Sequence, residues 1–254
     1  MSAKVIFCRW CGCAGASRFG TDARRRRRYH CPHCSRTFTG RTNTAKSGSR
    51  LSDREWELAV RLFASRGGMS GADLARVLGY GRRTGQRANR ACRGLVARLA
   101  PQSLPGPTEW DESVFSRQWV LGGVSRITRQ CVLLCIADRS ERTLVRLVDR
   151  CTEGDNPVFT DEHGGYIGLL NRWTVCHSRE FVNSQARFVH TNGIEGVWGH
   201  AKELSRHVYR GFPKRSLPQL LAEFCFRYNH RSYQTRLAVL SALLSRRKIN
   251  TLVV

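Results

Sequence analysis

Three carboxylates and four thiols stand out by type and spacing. Asp111, Asp161 and Glu195 are separated by 49 and 33 residues, room enough for the elements that would bring them to one point. Acids converging from two strands and a helix are the donor set that a pair of divalent ions needs for phosphodiester cleavage and strand transfer. One ion activates the attacking oxygen and the other stabilises the leaving one, about 3.5–4 Å apart. The bland alternative is that acids at strand ends and helix starts act as caps or meet solvent. The thiols are Cys8 and Cys11 in "CRWC" and Cys31 and Cys34 in "CPHC", with 19 residues between the pairs. Two Cys-x-x-Cys pairs at that distance close tetrahedrally on one zinc ion. Cys13, His30 and His33 lie near enough to replace one ligand.

Periodicity places the elements that must carry the acids. "EWDESVF", "QWVLGGV" and "CVLLCIA" read as three strands, followed by a helix "SERTLVRLVDRC", a strand "PVFT", a helix "GGYIGLLNRW" and a strand "TVCH". Alternation sends Asp111 and Glu112 to opposite faces of the first strand, so one of them faces a given site. Asp161 falls at the end of "PVFT", where sheet proteins commonly build sites. Glu195 lies in the first turns of a helix opened by "HTNG". Asn192, Gly199 and Lys202 share its face at spacings of −3, +4 and +7. The chain ends in helices, "LPQLLAEFCFRYNHR" and "RLAVLSALLSRR".

The chain has 254 residues and a formal charge of +24, and the charge is uneven. Residues 1–100 hold 22 Lys/Arg against 5 Asp/Glu, whereas residues 101–254 hold 21 against 14. That balance suits a polyanionic partner, foremost nucleic acid. No apolar stretch approaches the roughly 20 residues of a spanning helix, and the N-terminus lacks a signal-peptide core, so a soluble, intracellular protein is expected. The expected organisation is a zinc ribbon over 1–45, a helix-turn-helix domain over 46–100, a strand-and-helix domain over 107–235 and a C-terminal helix over 236–254. "TNTAKSGSR" reads as a linker, Ser52 and Glu55 as a capping box, and "PQSLPGP" as a boundary.

The run Arg24, Arg25, Arg26, Arg27 and Arg28 would form the ribbon's arm and meet phosphates, or else be a solvated loop or an import signal. "MSGADLARVLGYGRRTGQRANRACRGLV" has the pattern of a helix-turn-helix, with Arg82, Arg83, Arg87 and Arg90 placed to touch DNA, or of a plain helical hairpin with a charged face.

"EWDE", "QWVLGGVSR", "ADRSERTL", "FTDEHGGY", "VCHSREFV", "HTNGIEGVWGHAK" and "EFCFRYNHR" together resemble, in order and spacing, the DDE transposases of the Merlin group and their bacterial insertion-sequence relatives, over roughly residues 107–232. The ribbon and helix-turn-helix also look like the N-terminal half of such elements. The resemblance implies an α/β, RNase-H-like catalytic core with a mixed sheet, binding magnesium or manganese and cutting and joining DNA. It implies that Asp111, Asp161 and Glu195 form the metal triad, that Asn192 and Lys202 match the extra polar positions, and that Lys202 holds a phosphate. The partners would be terminal inverted repeats and target DNA, met by a homo-oligomer. Relatives often carry Gly and an aromatic after the second aspartate, where this chain has Glu162 and His163, leaving Asp161 or Glu162 as ligand with Asp161 preferred. The loop after the first acidic strand is short, as in the Merlin-like form. Rival readings are a non-catalytic DNA-binding regulator and a structure-selective nuclease.

Several smaller signals divide between packing and chemistry. His177 either orients a ligand or is a satisfied strand-end histidine, Trp198 reads as core, and the arginines of "FRYNHR" either close the site or face solvent. Cys92, Cys131, Cys135, Cys151, Cys176 and Cys225 read as buried thiols.

Overall fold

The first Cys-x-x-Cys pair precedes a small antiparallel sheet and the second lies between its last two strands in the computed structural model, which describes residues 5–65, 67–175 and 188–244. Strands β1 (Ser17–Thr21), β2 (Arg27–His30) and β3 (Thr37–Thr39) pair in that order. Their core is tiny: Cys8, Ala16, Cys31 and Phe38, with Ile6, Tyr29 and Cys34 partly buried against them. The expected linker is a run of turns in which Thr44, Ala45 and Ser49 are buried: the Thr44 and Ser49 hydroxyls hydrogen-bond locally, and the Ala45 methyl is small. Helix α1 (Asp53–Ala64) opens on the expected capping box: the Ser52 N–H donates to Glu55 Oε2 (2.6 Å) and the Glu55 N–H to Ser52 Oγ (3.2 Å).

Helices α2 (Gly71–Val77) and α3 (Arg82–Val96) follow, joined by a turn with Gly79 at φ +68°. They pack closely at a glycine, since a Cβ on Gly85 would sit 2.3 Å from the Gly71 carbonyl oxygen. The described residues among 1–63, 71–95 and 237–254 group as one compact unit.

Residues 64–70 and 96–236 form the other unit. Its five-stranded mixed sheet has the order β6-β5-β4-β7-β8, with β4 (Thr108–Phe115), β5 (Gln118–Ser125), β6 (Cys131–Ile136), β7 (Val158–Asp161) and β8 (Arg172–Val175). β4, β5 and β6 form an antiparallel meander, and β7 and β8 run parallel to β4. β4 turns into β5 through Ser116 and Arg117 alone, both at positive φ (50° and 60°), the two-residue turn that matches strand twist.

One face of the sheet packs Val120, Val124 and Leu133 under helices α5 (Asn192–Tyr209) and α6 (Leu217–Asn229). The other packs Trp110, Leu121 and Val132 under α4 (Glu141–Cys151). The expected mixed α/β core is present, built on this five-stranded sheet.

The expected helix over 164–173 is replaced by a single 3₁₀ turn, Gly164–Tyr166, and then by β8. Two glycines weaken a helix start there, and Arg172 to Val175 gain ladder bonds with β7 instead. The last helix, α7, spans Tyr233–Leu244 and buries Leu240 and Leu244. Cys92, Cys131, Cys151 and Cys225 are buried, but Cys135 is exposed near the far end of the edge strand β6, and Cys176 lies outside the described residues.

Candidate active site

β4 and β7 pair only at Thr108↔Val158 and Glu109↔Phe159. Continued in register, the next positions would bring Asp111 level with Asp161, and the ladder stops short of that point. Two carboxylates directly opposite repel, so the strands part where a cation would enter, at the carboxyl end of β7 and midway along β4. Carboxylate oxygens of Asp111, Glu112 and Asp161 all lie within 4.8 Å of one another there.

The expectation that only one of Asp111 and Glu112 serves a site needs correcting. The two residues do leave β4 on opposite faces, for Asp111 meets Trp198 of α5 while Glu112 meets Tyr166 below the other face. The flexible Glu112 stem nevertheless brings its carboxylate back to the group. Burial pushes Glu112 up to about 7; the charges of Asp111 and Asp161 add to this, and Tyr166 beside it opposes.

Asp161 accepts from the His163 N–H (3.0 Å), and His163 in turn accepts from the Gly165 N–H (3.1 Å), capping the 3₁₀ turn. Glu162 is exposed and outside the acidic group, so Asp161 is the acid that the strand end delivers. His177 lies outside the described residues.

Glu195 stands apart from the three-acid group, exposed in the first turn of α5, with the Thr191 hydroxyl 3.5 Å from its Oε1. Asn192 and Lys202 are exposed on the same helix. Trp198 connects this helix to the site: it is buried as expected, and its indole N–H also donates to Asp111 Oδ2 (2.9 Å).

Gly122, level with Asp111 on β5, leaves the space for that ring. A Cβ on Gly122 would fall 2.6 Å from Trp198 and 2.9 Å from Leu133. Gly122→Ala is therefore expected to cost about 1–3 kcal/mol, read as a lower urea midpoint for this unit; an unchanged midpoint would show that the ring has room.

Glu109 and its partners went unnoticed in the sequence. Glu109 is fully buried; it accepts from Arg126 Nε (2.8 Å) and from the Ile194 backbone N–H at the start of α5 (3.0 Å), with His190 Nδ1 3.4 Å away. Arg126 stacks over Phe159 (3.6 Å to the ring centre) and donates to the Phe188 and His190 carbonyls. Glu109 thus fastens the helix that bears Glu195 to the strand that bears Asp111. Of the "FRYNHR" arginines, Arg227 neither closes the site nor faces solvent, because it pairs with buried Glu223 (2.7 Å).

In the N-terminal unit the sulfurs of Cys8, Cys11, Cys31 and Cys34 all lie within 4.8 Å of one another, and neither Cys13 nor the two histidines join them. Burial of Cys8 opposes ionisation, but the N–H groups of Cys11 and Trp10 outweigh it and bring the thiol down to about 6. Arg24, Arg25 and Arg27 are exposed near the tip of the β1–β2 hairpin, Arg26 pairs with Asp22 (2.7 Å), and Arg28 reaches Thr37 (3.2 Å). Arg82, Arg83, Arg87 and Arg90 are exposed on α3.

Residues 110–229 match the family model described as the ISXO2-like transposase domain. Over this stretch, a little under half of the chain, the protein is similar to that transposase family. The match contains Asp111, Asp161 and Glu195 and falls on the bacterial insertion-sequence side of the resemblance, although the short turn after β4 pointed toward the Merlin-like form. Comparison with curated proteins gives no match. Among solved structures, the catalytic core domain of BIV integrase aligns with 48% of this chain and 81% of its own, at 9% identity and a TM-score of 0.33, too slight a likeness to argue from.

The transposase family implies DNA as the partner and a divalent ion at the acidic centre. Hard oxygen donors at this spacing fit such an ion. No helix among the described residues is long and apolar enough to cross a membrane.

Proposed function

We propose that the protein is a DNA transposase that binds the terminal inverted repeats of a mobile element, cuts there and joins the freed end to target DNA. The observation that carries this reading is the meeting of Asp111 and Asp161 where β4 and β7 part, inside a transposase domain. Asp111, Asp161 and Glu195 are the metal-binding carboxylates of this reading, with magnesium or manganese as the hard cation suited to them. Bound ions would lower the pKa of the attacking water or sugar hydroxyl and balance the charge on the leaving oxygen.

The chain's own residues supply the rest. Trp198 fixes the Asp111 carboxylate through its indole N–H, and Glu109 fixes the start of α5 so that Glu195 faces DNA from a set position. Asn192 and Lys202, exposed on that helix, would hold the DNA backbone, Lys202 by its charge on a phosphate. The four cysteines would hold zinc and stiffen the ribbon, whose hairpin arginines meet phosphates, while α3 would lay Arg82, Arg83, Arg87 and Arg90 along a groove. Concerted cutting of two ends calls for a homo-oligomer acting on DNA inside the cell.

The test is incubation of purified protein with short terminal-repeat DNA and Mg²⁺ or Mn²⁺. Wild type is expected to cut and to join, and Asp161→Asn to lose roughly 100-fold or more of its cutting while still binding DNA. Unchanged metal-dependent cutting by Asp161→Asn would remove the reading. Cutting without joining would point to a nuclease, and binding alone to a regulator.

A further inference from the structure

Glu112 is the acid of this centre that the triad leaves out, and its surroundings are unusual. Its side chain is 2% exposed, and Oε1 has no hydrogen-bond partner among the described residues. The nearby ring nitrogen His163 Nδ1, 3.8 Å away, already accepts the Gly165 N–H, so it turns no proton toward the carboxylate. Two acceptors therefore face each other across a gap.

The Tyr166 hydroxyl, on a side chain with no exposed surface, also lacks a hydrogen-bond partner and lies within the field of Glu112, Asp111 and Asp161. The positive charge felt at Glu112 comes from Arg139, whose guanidinium sits over the Trp119 ring (4.2 Å). A buried carboxylate oxygen without a donor is costly, and the cost is offset when a cation completes the set. Ligand oxygens of Asp111 and Asp161 within 4.8 Å of Glu112 complete an all-oxygen cage of the kind hard divalent cations prefer.

We propose that Glu112 is a direct carboxylate ligand of the divalent ion held by Asp111 and Asp161. The inference rests on reading this centre as the metal site of the transposase, and it adds a ligand from the face of β4 opposite Asp111. The strand then grips the ion with two consecutive residues. Glu195 stays apart from this group, exposed on α5.

The experiment titrates the full-length protein with Mn²⁺ alone, followed by calorimetry and by the paramagnetic resonance signal of unbound Mn²⁺. Manganese is a poor partner for the ribbon thiolates, so the signal reports the carboxylates. Glu112→Gln is expected to bind Mn²⁺ at least about 10-fold more weakly than wild type. Glu112→Asp, which keeps the charge but withdraws it by one methylene, is expected to weaken binding as well. Circular dichroism and the metal-free unfolding midpoint confirm that both variants fold; Glu112→Gln removes an unpartnered buried charge and should fold at least as well as wild type.

Wild-type affinity in Glu112→Gln would overturn the inference, and wild-type affinity in Glu112→Asp alone would reduce Glu112 to a nearby charge and overturn it as well. If Asp161→Asn abolishes Mn²⁺ uptake while Glu112→Gln retains it, this inference falls and the transposase reading stands. If Asp161→Asn also binds Mn²⁺ unchanged, both fall.

Discussion

Replacing Cys31 with serine, or stripping the metal with a chelator, is expected to unfold the ribbon. The buried core there is Cys8, Ala16, Cys31 and Phe38, two of them proposed ligands, so little apolar surface remains to hold three short strands. Segments of about 40 residues or fewer need a disulfide or a metal to fold alone. The described cysteines form no disulfide, and the ion proposed for Cys8, Cys11, Cys31 and Cys34 is the staple this prediction tests. Structural zinc contributes about 10–16 kcal/mol to such peptides at neutral pH, far more than the stacked Tyr29–Phe38 pair, whose ring centres lie 5.4 Å apart, could replace. Cobalt substitution should give tetrahedral thiolate bands in the wild type and weaker, shifted ones in Cys31→Ser. The amide dispersion of β2 and β3 should collapse on chelation. Dispersion that survives stoichiometric removal of the metal would show that the ribbon does not depend on it.

That result would test one of the more legible parts of the sequence, and the reason for its legibility is physical. Cys-x-x-Cys pairs and the Ser52/Glu55 cap are local: the partners lie within a few residues, so spacing alone brings them together. The strands β4, β5 and β6 were legible for a similar reason, since each is one alternating run. Asp161 was placed correctly at a strand end, but its alignment with Asp111 depends on which strands are neighbours and in which direction they run. Topology of that kind is not written in any one segment.

The residues that escaped the sequence reading share this dependence. Glu109 meets Ile194 across 85 positions, and Trp198 meets Asp111 across 87. Trp198 was read as core from its place on α5, which is where it lies; its polar edge found a use that burial alone did not announce. Glu112 was missed for another reason. Alternation fixes the direction in which a side chain leaves the strand, whereas a glutamate has enough rotatable bonds for its carboxylate to return to the strand end. The helix expected over 164–173 failed because a 3.6-residue pattern of apolar residues, Tyr166 and Leu169 among them, also fits a single turn that plugs the core beneath α4. Pairing with β7 then decides the fate of Arg172 to Val175.

The same long-range logic predicts the strongest single-residue effect in the mixed-sheet unit, at Glu109. Glu109→Ala would leave the Arg126 guanidinium, 17% exposed, without its carboxylate, the His190 ring beside Arg126 without a balancing negative charge, and the Ile194 N–H without an acceptor. Breaking a buried pair by removing one member costs about 3–5 kcal/mol, because the surviving charge stays desolvated. Burial already lowers the pKa of Arg126, and Glu109 opposes that shift, so the variant removes the partner that makes the buried cation tolerable. At about 2–4 °C per kcal/mol for a domain of this size, Tm should fall by roughly 10 °C. Glu109→Gln keeps an acceptor for Ile194 and fills the same space beside Gly193, whose Cβ would lie 2.7 Å from the carboxylate; it should lose less. Hydrogen exchange distinguishes this clamp from generic core damage: the Ile194 and Glu195 amides should lose protection in Glu109→Ala before the β5–β6 ladder does. Equal loss across the sheet would mean that Glu109 merely fills the core. Cutting should fall more steeply than stability at temperatures where both variants remain folded, since a loosened α5 no longer holds Trp198 against Asp111 or keeps Glu195 in a set position.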